Sequence, residues 1–150
     1  MRDFPSVSYL AHARTPSRFA RYFCYCSLLV IVIVSLYPFS GWHYNGAPLF
    51  AYLFYPLPHY QTVFDNTINV LAYVPLGLCL VLLLPHKRSG WLLAIAGGLL
   101  VSGTMEFIQQ FLPSRIASNL DILSNGTGTL IGAVLGLIAG HERWQVWQRR

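Results

Sequence analysis

Apolar residues in this chain fall in long unbroken runs, not in alternating or helical stripes, and short polar stretches separate the runs. Four runs stand out, at about 21–37, 67–84, 91–112 and 122–140. A hydrocarbon core of about 30 Å is crossed by about 20 apolar residues in a helix, or somewhat fewer with flanking aromatics. The pattern therefore predicts an all-α membrane protein, a bundle of four transmembrane helices. Between the first two runs, residues 39–64 hold Trp42, Tyr44, Phe50, Tyr52, Phe54, Tyr55 and Tyr60 with prolines at 48, 56 and 58. Aromatics at this density favour the headgroup layer. The reading is an aromatic-rich loop lying on the surface, a short interfacial helix followed by an extended Pro-rich piece. A lid in which His43 or His59 takes part is the functional alternative.

Composition agrees with the pattern: 55% of the 150 residues are hydrophobic and only 10% are charged, against about a quarter charged in a soluble domain. A net charge of +5 does not imply nucleic acid, because the basic residues form no single patch. Arg2, Arg14, Arg18 and Arg21 precede the first run, Lys87 and Arg88 separate the second and third, and Arg143, Arg149 and Arg150 follow the fourth. Only Arg115 falls on the opposite side. Positively charged loops stay inside, so both termini are expected in the cytoplasm, the aromatic loop outside, and the protein in the bacterial cytoplasmic (inner) membrane. The N-terminal charged region is too long for a cleavable signal, and no small-residue cleavage site follows the first run. One transmembrane domain, 19–140, is expected between a disordered cytoplasmic tail, 1–18, and a basic cytoplasmic tail, 141–150, anchored by Trp144 and Trp147. Cys24, Cys26 and Cys79 sit among apolar neighbours with no metal-ligand spacing and read as small buried hydrophobes. No metal or cofactor is predicted.

The candidate chemistry lies at the outer ends of the runs. A carboxylate inside a membrane span costs roughly 2.5–3.5 kcal/mol on insertion scales, so such residues usually mark a site. Glu106, Gln109 and Gln110 share one sector of the third helix, with Glu106 about 9 Å inside Leu112 at 1.5 Å per residue. On the second helix Asp65, Asn69 and Tyr73 stack at four-residue intervals. A helix cap explains Asp65 alone but not Asn69, a full turn deeper. Pro75 removes one backbone bond and is expected to kink that helix. Asp121 and Asn125 begin a face of the fourth helix that continues as Gly128, Gly132, Gly136 and Gly140, a small-residue strip for close helix packing; Gly97, Gly98 and Gly103 serve likewise on the third. Asp65, Asn69, Glu106, Gln109, Arg115, Asp121 and Asn125 are thus the candidate ligand-binding set, and Gly128, Gly132 and Gly136 the packing set. Three carboxylates against Arg115 leave two negative charges if all ionise, relieved by protonation or a cationic ligand. A structural knot in which Arg115 bridges Glu106 and Asp121 is the competing reading.

In order and spacing, Asp65-x3-Asn69-x5-Pro75-x-Gly77, Glu106-x2-Gln109-x3-Pro113-x-Arg115 and Asp121-x3-Asn125-x2-Gly128-x3-Gly132 resemble the signature of VanZ-like membrane proteins. The match covers roughly residues 65–140. The family comprises small bacterial multi-pass proteins and is named for a member linked to glycopeptide (teicoplanin) resistance, a class with no established reaction. This chain has Ser118 where some members carry an acidic residue and Asn69 where many carry His, which weakens a mechanism needing a second aspartate or a histidine base. Three functions follow as expectations. The first is an outer polar pocket that binds a membrane lipid or lipid-linked cell-wall intermediate, with no nucleic acid and with a homo-oligomer left open. The second is an enzyme on such a lipid, with Glu106 and Asp121 as acid and base; no nucleophile elbow or phosphate-gripping loop supports it, so the reading leans away from an enzyme. The third is transport or proton relay, which needs polar access from both faces.

Overall fold

The computed structural model describes residues 18–148 apart from 45, 59–61 and 85–88, with side chains described to Ala139. The expectations for the 1–17 tail, His59, Lys87, Arg88, the packing of Gly140 and the side chains of Trp144 and Trp147 fall outside what the structure describes. Four α-helices follow one another, α1 (Arg18–Leu36), α2 (Val63–Leu83), α3 (Gly90–Gln109) and α4 (Asn119–Gln148), with one 3-10 turn at Ala51–Phe54 before α2. All four are long and apolar enough to cross a membrane, and no strand occurs among the described residues.

The helix ends explain where the structure departs from the apolar runs. At the start of α2 the Thr62 hydroxyl accepts the Asp65 N–H at 3.2 Å, while Asp65 Oδ2 accepts the Thr62 N–H at 2.9 Å. This capping box starts the helix four residues before the apolar run predicts. α3 stops at Gln109 rather than Leu112, because Phe111 N–H and Leu112 N–H turn back to the carbonyls of Ile108 and Gln109. Such i→i−3 bonds close the final turn before Pro113. α4 opens at Asn119, three residues early, where Ser118 Oγ accepts the Leu120 N–H at 3.1 Å in the manner of an N-cap. α2 runs through Pro75 as one continuous helix.

α4 packs most extensively on α2, and also on α3; α1 packs on α2. Glycines set the α2–α4 distance. A Cβ at Gly128 would overlap the Val70 carbonyl, one at Gly132 the Val74 carbonyl, and one at Gly77 the Thr129 backbone. Gly98 on α3 likewise leaves room for the Thr129 side chain, whereas Gly103 faces open space and has no such role. Ile31, Tyr73, Leu76, Cys79, Met105 and Leu112 form the main core. Cys24 and Cys79 are buried as expected, but Cys26 is exposed on the outward side of α1. The Cys79 thiol donates to the Pro75 carbonyl at 2.6 Å, a bond local to its own helix.

Candidate functional site

The polar residues of α2, α3 and α4 meet in one seam near the end of the bundle that carries the 37–62 and 110–118 loops. Asn69 Nδ2 donates to Asp121 Oδ1 at 2.8 Å, so the amide that would be expensive alone in lipid is paired across the α2–α4 contact. One turn deeper, Asn125 Nδ2 donates to Ser102 Oγ at 2.9 Å, and the Thr129 hydroxyl donates to the Asn125 carbonyl at 2.9 Å. Nearer the loops, Glu106 is only 2% exposed. Its Oε2 accepts the Ser118 N–H at 2.7 Å, fastening the α3–α4 loop to α3.

Gln109 and Arg115 do something different from the rest. A helix ends with carbonyls that have no partner in the helix, and inside a membrane water cannot supply one. At the end of α1 every one of these groups is answered. Ile33 O accepts the Tyr37 N–H and Leu36 O the Phe39 N–H. Val34 O accepts Arg115 Nη2 at 2.7 Å, and Tyr37 O accepts Arg115 Nε at 3.1 Å. Ser35 O accepts Gln109 Nε2 at 2.9 Å. The guanidinium therefore turns to α1, so the structure corrects the expected Arg115 bridge between Glu106 and Asp121. A cation at a helix C-terminus also meets the negative end of the helix dipole.

Arg115 also borders a cavity of about 300 Å3 between the aromatic loop and residues 110–117. Its walls include His43, Tyr52, Tyr55 and Gln110 as well as Arg115. The loop is tied down at several points. His43 N–H donates to Phe111 O at 3.0 Å, Phe50 N–H to Gln110 Oε1 at 3.3 Å, and Asn119 Nδ2 to Tyr55 O at 2.7 Å. Phe50 stacks on Phe107 with ring centroids 5.2 Å apart. The 3-10 turn carries Tyr52 inward to 6% exposure. Burial, and then the nearby Glu106 charge, push its phenol above the ordinary value. Tyr52 is thus a mostly buried residue that lines the cavity. The loop lines one side of this cavity, with His43 in its wall, and the expected short helix is a single 3-10 turn.

The seven candidate residues do not form one cluster. Asn69, Glu106, Asp121 and Asn125 belong to the seam, Gln109 and Arg115 to the α1 end, and Arg115 alone among them to the cavity wall. Asp65 is exposed, with its carboxylate in the α2 cap. Glu106, Gln109 and Gln110 share a helical sector in sequence, yet they diverge to Ser118, α1 and the aromatic loop. The sequence reading missed Ser102 and Thr129, small hydroxyls within apolar runs. It also missed Tyr52, one aromatic among many; only its place two residues past Phe50 in a Pro-bounded turn sets it apart. Among the described residues no group of three or more His, Cys, Asp or Glu side chains is arranged to hold a metal ion. A protein-family model described as VanZ/LLP1 matches residues 19–140. No curated protein and no solved structure matches the chain.

Proposed function

This chain belongs to the VanZ/LLP1 family, and from that premise we propose that it is a multi-pass membrane protein whose loop-lined cavity takes the polar head of an envelope lipid or lipid-linked cell-wall intermediate. The lysine and arginine count assigns the cavity to the outer surface of the cytoplasmic membrane and both termini to the inner one. The observation that carries the reading is the use of Arg115. Two of its five N–H donors hold α1, so three remain on a guanidinium that lines the cavity, suited to a phosphate or carboxylate head. Tyr52 and Tyr55 give the same cavity aromatic faces, and apolar helices flank it for the tail. Glu106 and Asp121 are not among the residues that line the cavity and are held by Ser118 and Asn69, which favours binding over acid–base chemistry. The polar seam stops at Thr129 among the described residues, and below it α2 and α4 meet backbone to glycine, an arrangement that does not favour transport.

Native mass spectrometry of the purified protein with its retained envelope lipids tests the proposal. Wild type is expected to keep a defined lipid, and Arg115→Ala to lose about 10-fold or more of that occupancy, the equivalent of one or two charge-assisted hydrogen bonds. Arg115→Lys, which keeps the charge but not the fork, is expected to fall between. Equal retention by all three proteins overturns the assignment. The reading extends to glycopeptide resistance, because a protein that holds a lipid-linked cell-wall intermediate alters the target such a drug meets. Expression in a susceptible bacterium is expected to raise the inhibitory concentration of teicoplanin; an unchanged value removes that extension.

A further inference from the structure

On the reading of the cavity as a head-group site, we propose that the group it takes is a terminal phosphate, the end of a phosphate monoester or pyrophosphate, gripped between the Arg115 guanidinium and the His43 imidazole. The aromatic loop runs antiparallel to the segment that follows α3. His43 N–H donates to the Phe111 carbonyl at 3.0 Å, a Cβ at Gly41 would meet the Pro113 ring at 3.7 Å, and the Tyr37 carbonyl accepts Arg115 Nε at 3.1 Å. These contacts step along both segments, so His43 and Arg115 come to the same cavity from facing stretches of chain, and both line it. Each is held before a ligand arrives. Arg115 is fixed on the end of α1 through Nε and Nη2, and His43 Nδ1–H donates to the Gly41 carbonyl at 2.9 Å.

The bond to Gly41 fixes what the imidazole offers. A carbonyl only accepts, so the proton on Nδ1 is committed to it and Nε2 is the nitrogen left for a ligand. Neutral, Nε2 is an acceptor; protonated, it is a charged donor. An anion in the cavity favours the protonated form, and His43 is exposed, so water supplies the proton. Among the described residues no carboxylate lines the cavity, and nothing there competes for either cation. Gln110 is already engaged, since Oε1 accepts the Phe50 N–H and Nε2 donates to the Phe107 carbonyl. The charged lining therefore consists of Arg115 and the protonated His43. A carboxylate has one charge and two oxygens in one plane, which a single guanidinium fork satisfies. A terminal phosphate has up to two charges and three acceptor oxygens splayed in different directions. It accepts from the free fork of Arg115 on one wall and from His43 Nε2 on the other, and its charge matches theirs.

Binding of short-chain probes to the full chain in non-ionic detergent, read by microscale thermophoresis, tests this. The titrations run at about pH 6.5, where a histidine takes up a proton readily and a phosphate monoester is largely dianionic. The probes are dihexanoyl phosphatidic acid, the same diacylglycerol carrying a hemisuccinate carboxylate, and inorganic phosphate. Wild type is expected to bind the phosphatidic acid about 10-fold or more tighter than the hemisuccinate, the effect of one further charge-assisted hydrogen bond. His43→Asn keeps an amide N–H for the Gly41 carbonyl and removes Nε2. It is expected to bring the two lipid probes within about twofold of each other by weakening the phosphatidic acid alone. His43→Lys, which restores a charge, is expected to recover part of the preference. Inorganic phosphate bound as tightly as phosphatidic acid supports the clamp and makes free phosphate, not lipid, its source. Equal binding of the two lipid probes by wild type, which needs no variant, overturns the clamp. So does a His43→Asn protein with wild-type melting that keeps the preference or weakens both probes alike. Arg115→Ala tells this failure from that of the head-group reading: if it weakens both lipid probes about 10-fold, that reading stands without the clamp, and if it weakens neither, both fall.

Discussion

Gly132→Ala is expected to destabilise the bundle by about 1–3 kcal/mol or more, the range for overpacking a close contact. A methyl at Gly132 would overlap the Val74 carbonyl oxygen and press on the Leu78 nitrogen at 2.8 Å. These are backbone atoms of α2, held by its own hydrogen bonds, so they cannot swing aside as a side chain would. Relief requires moving α4 away from α2, which loosens the Gly128 and Gly77 contacts together with the Asn69–Asp121 pair above them. Inside a membrane no hydrophobic force draws the helices back, because lipid is as apolar as the helix faces. The rest of the strip supplies a graded control. At Gly136 the added methyl would lie 3.0 Å from the Leu78 carbonyl and 3.3 Å from a Val81 methyl, so Gly136→Ala is expected to cost less. Gly103 has nothing within 4 Å, and Gly103→Ala is expected to be nearly neutral. Unfolding titrations in mixed detergent would rank the three. Equal effects at Gly132 and Gly103 would remove the packing argument.

This strip was legible from sequence because a four-residue period of glycines in an apolar helix has one straightforward physical meaning. The four helices were legible for a similar reason, since a run of apolar residues has few other uses at that length. What could not be read was which side chain answers which backbone group. Gln109 and Arg115 cap a helix that ended more than 70 residues earlier in the chain, and no local pattern encodes a cap supplied from that distance. Sector arguments failed at Glu106, Gln109 and Gln110 for a related reason. One helical face can touch two neighbours, and long flexible side chains reach to either. Asp65 went the other way: its local capping reading is the one the structure shows, and its place in the α2 stack with Asn69 was incidental. Ser102 and Thr129 were hidden by their size, since a hydroxyl in an apolar run usually satisfies itself on its own helix, as Thr104 does here with the Leu100 carbonyl at 2.7 Å and Thr129 with the Asn125 carbonyl at 2.9 Å.

Glu106→Leu is expected to destabilise the protein by about 1–3 kcal/mol, the cost of leaving a buried amide without its acceptor. The amide is the Ser118 N–H, which meets Glu106 Oε2 at 2.7 Å in a buried bond. The consequence travels further than one hydrogen bond, because Ser118 closes the loop that carries Arg115. That guanidinium holds the Val34 and Tyr37 carbonyls of α1, so a loop released at Ser118 also loosens the end of α1 and the cavity wall beside it. Glu106→Gln keeps an oxygen for the Ser118 amide and is expected to recover most of the stability. The comparison separates two roles for the same carboxylate. An anchor is rescued by glutamine in both stability and lipid retention, whereas a group that needs its charge for a ligand or a proton is rescued in stability alone. Hydrogen exchange at the Ser118 amide gives the direct readout. It is expected to be slow in wild type and Glu106→Gln and fast in Glu106→Leu. A Glu106→Leu protein with wild-type melting and a protected Ser118 amide would show that the carboxylate does not hold the loop, and would return Glu106 to the list of groups kept for chemistry.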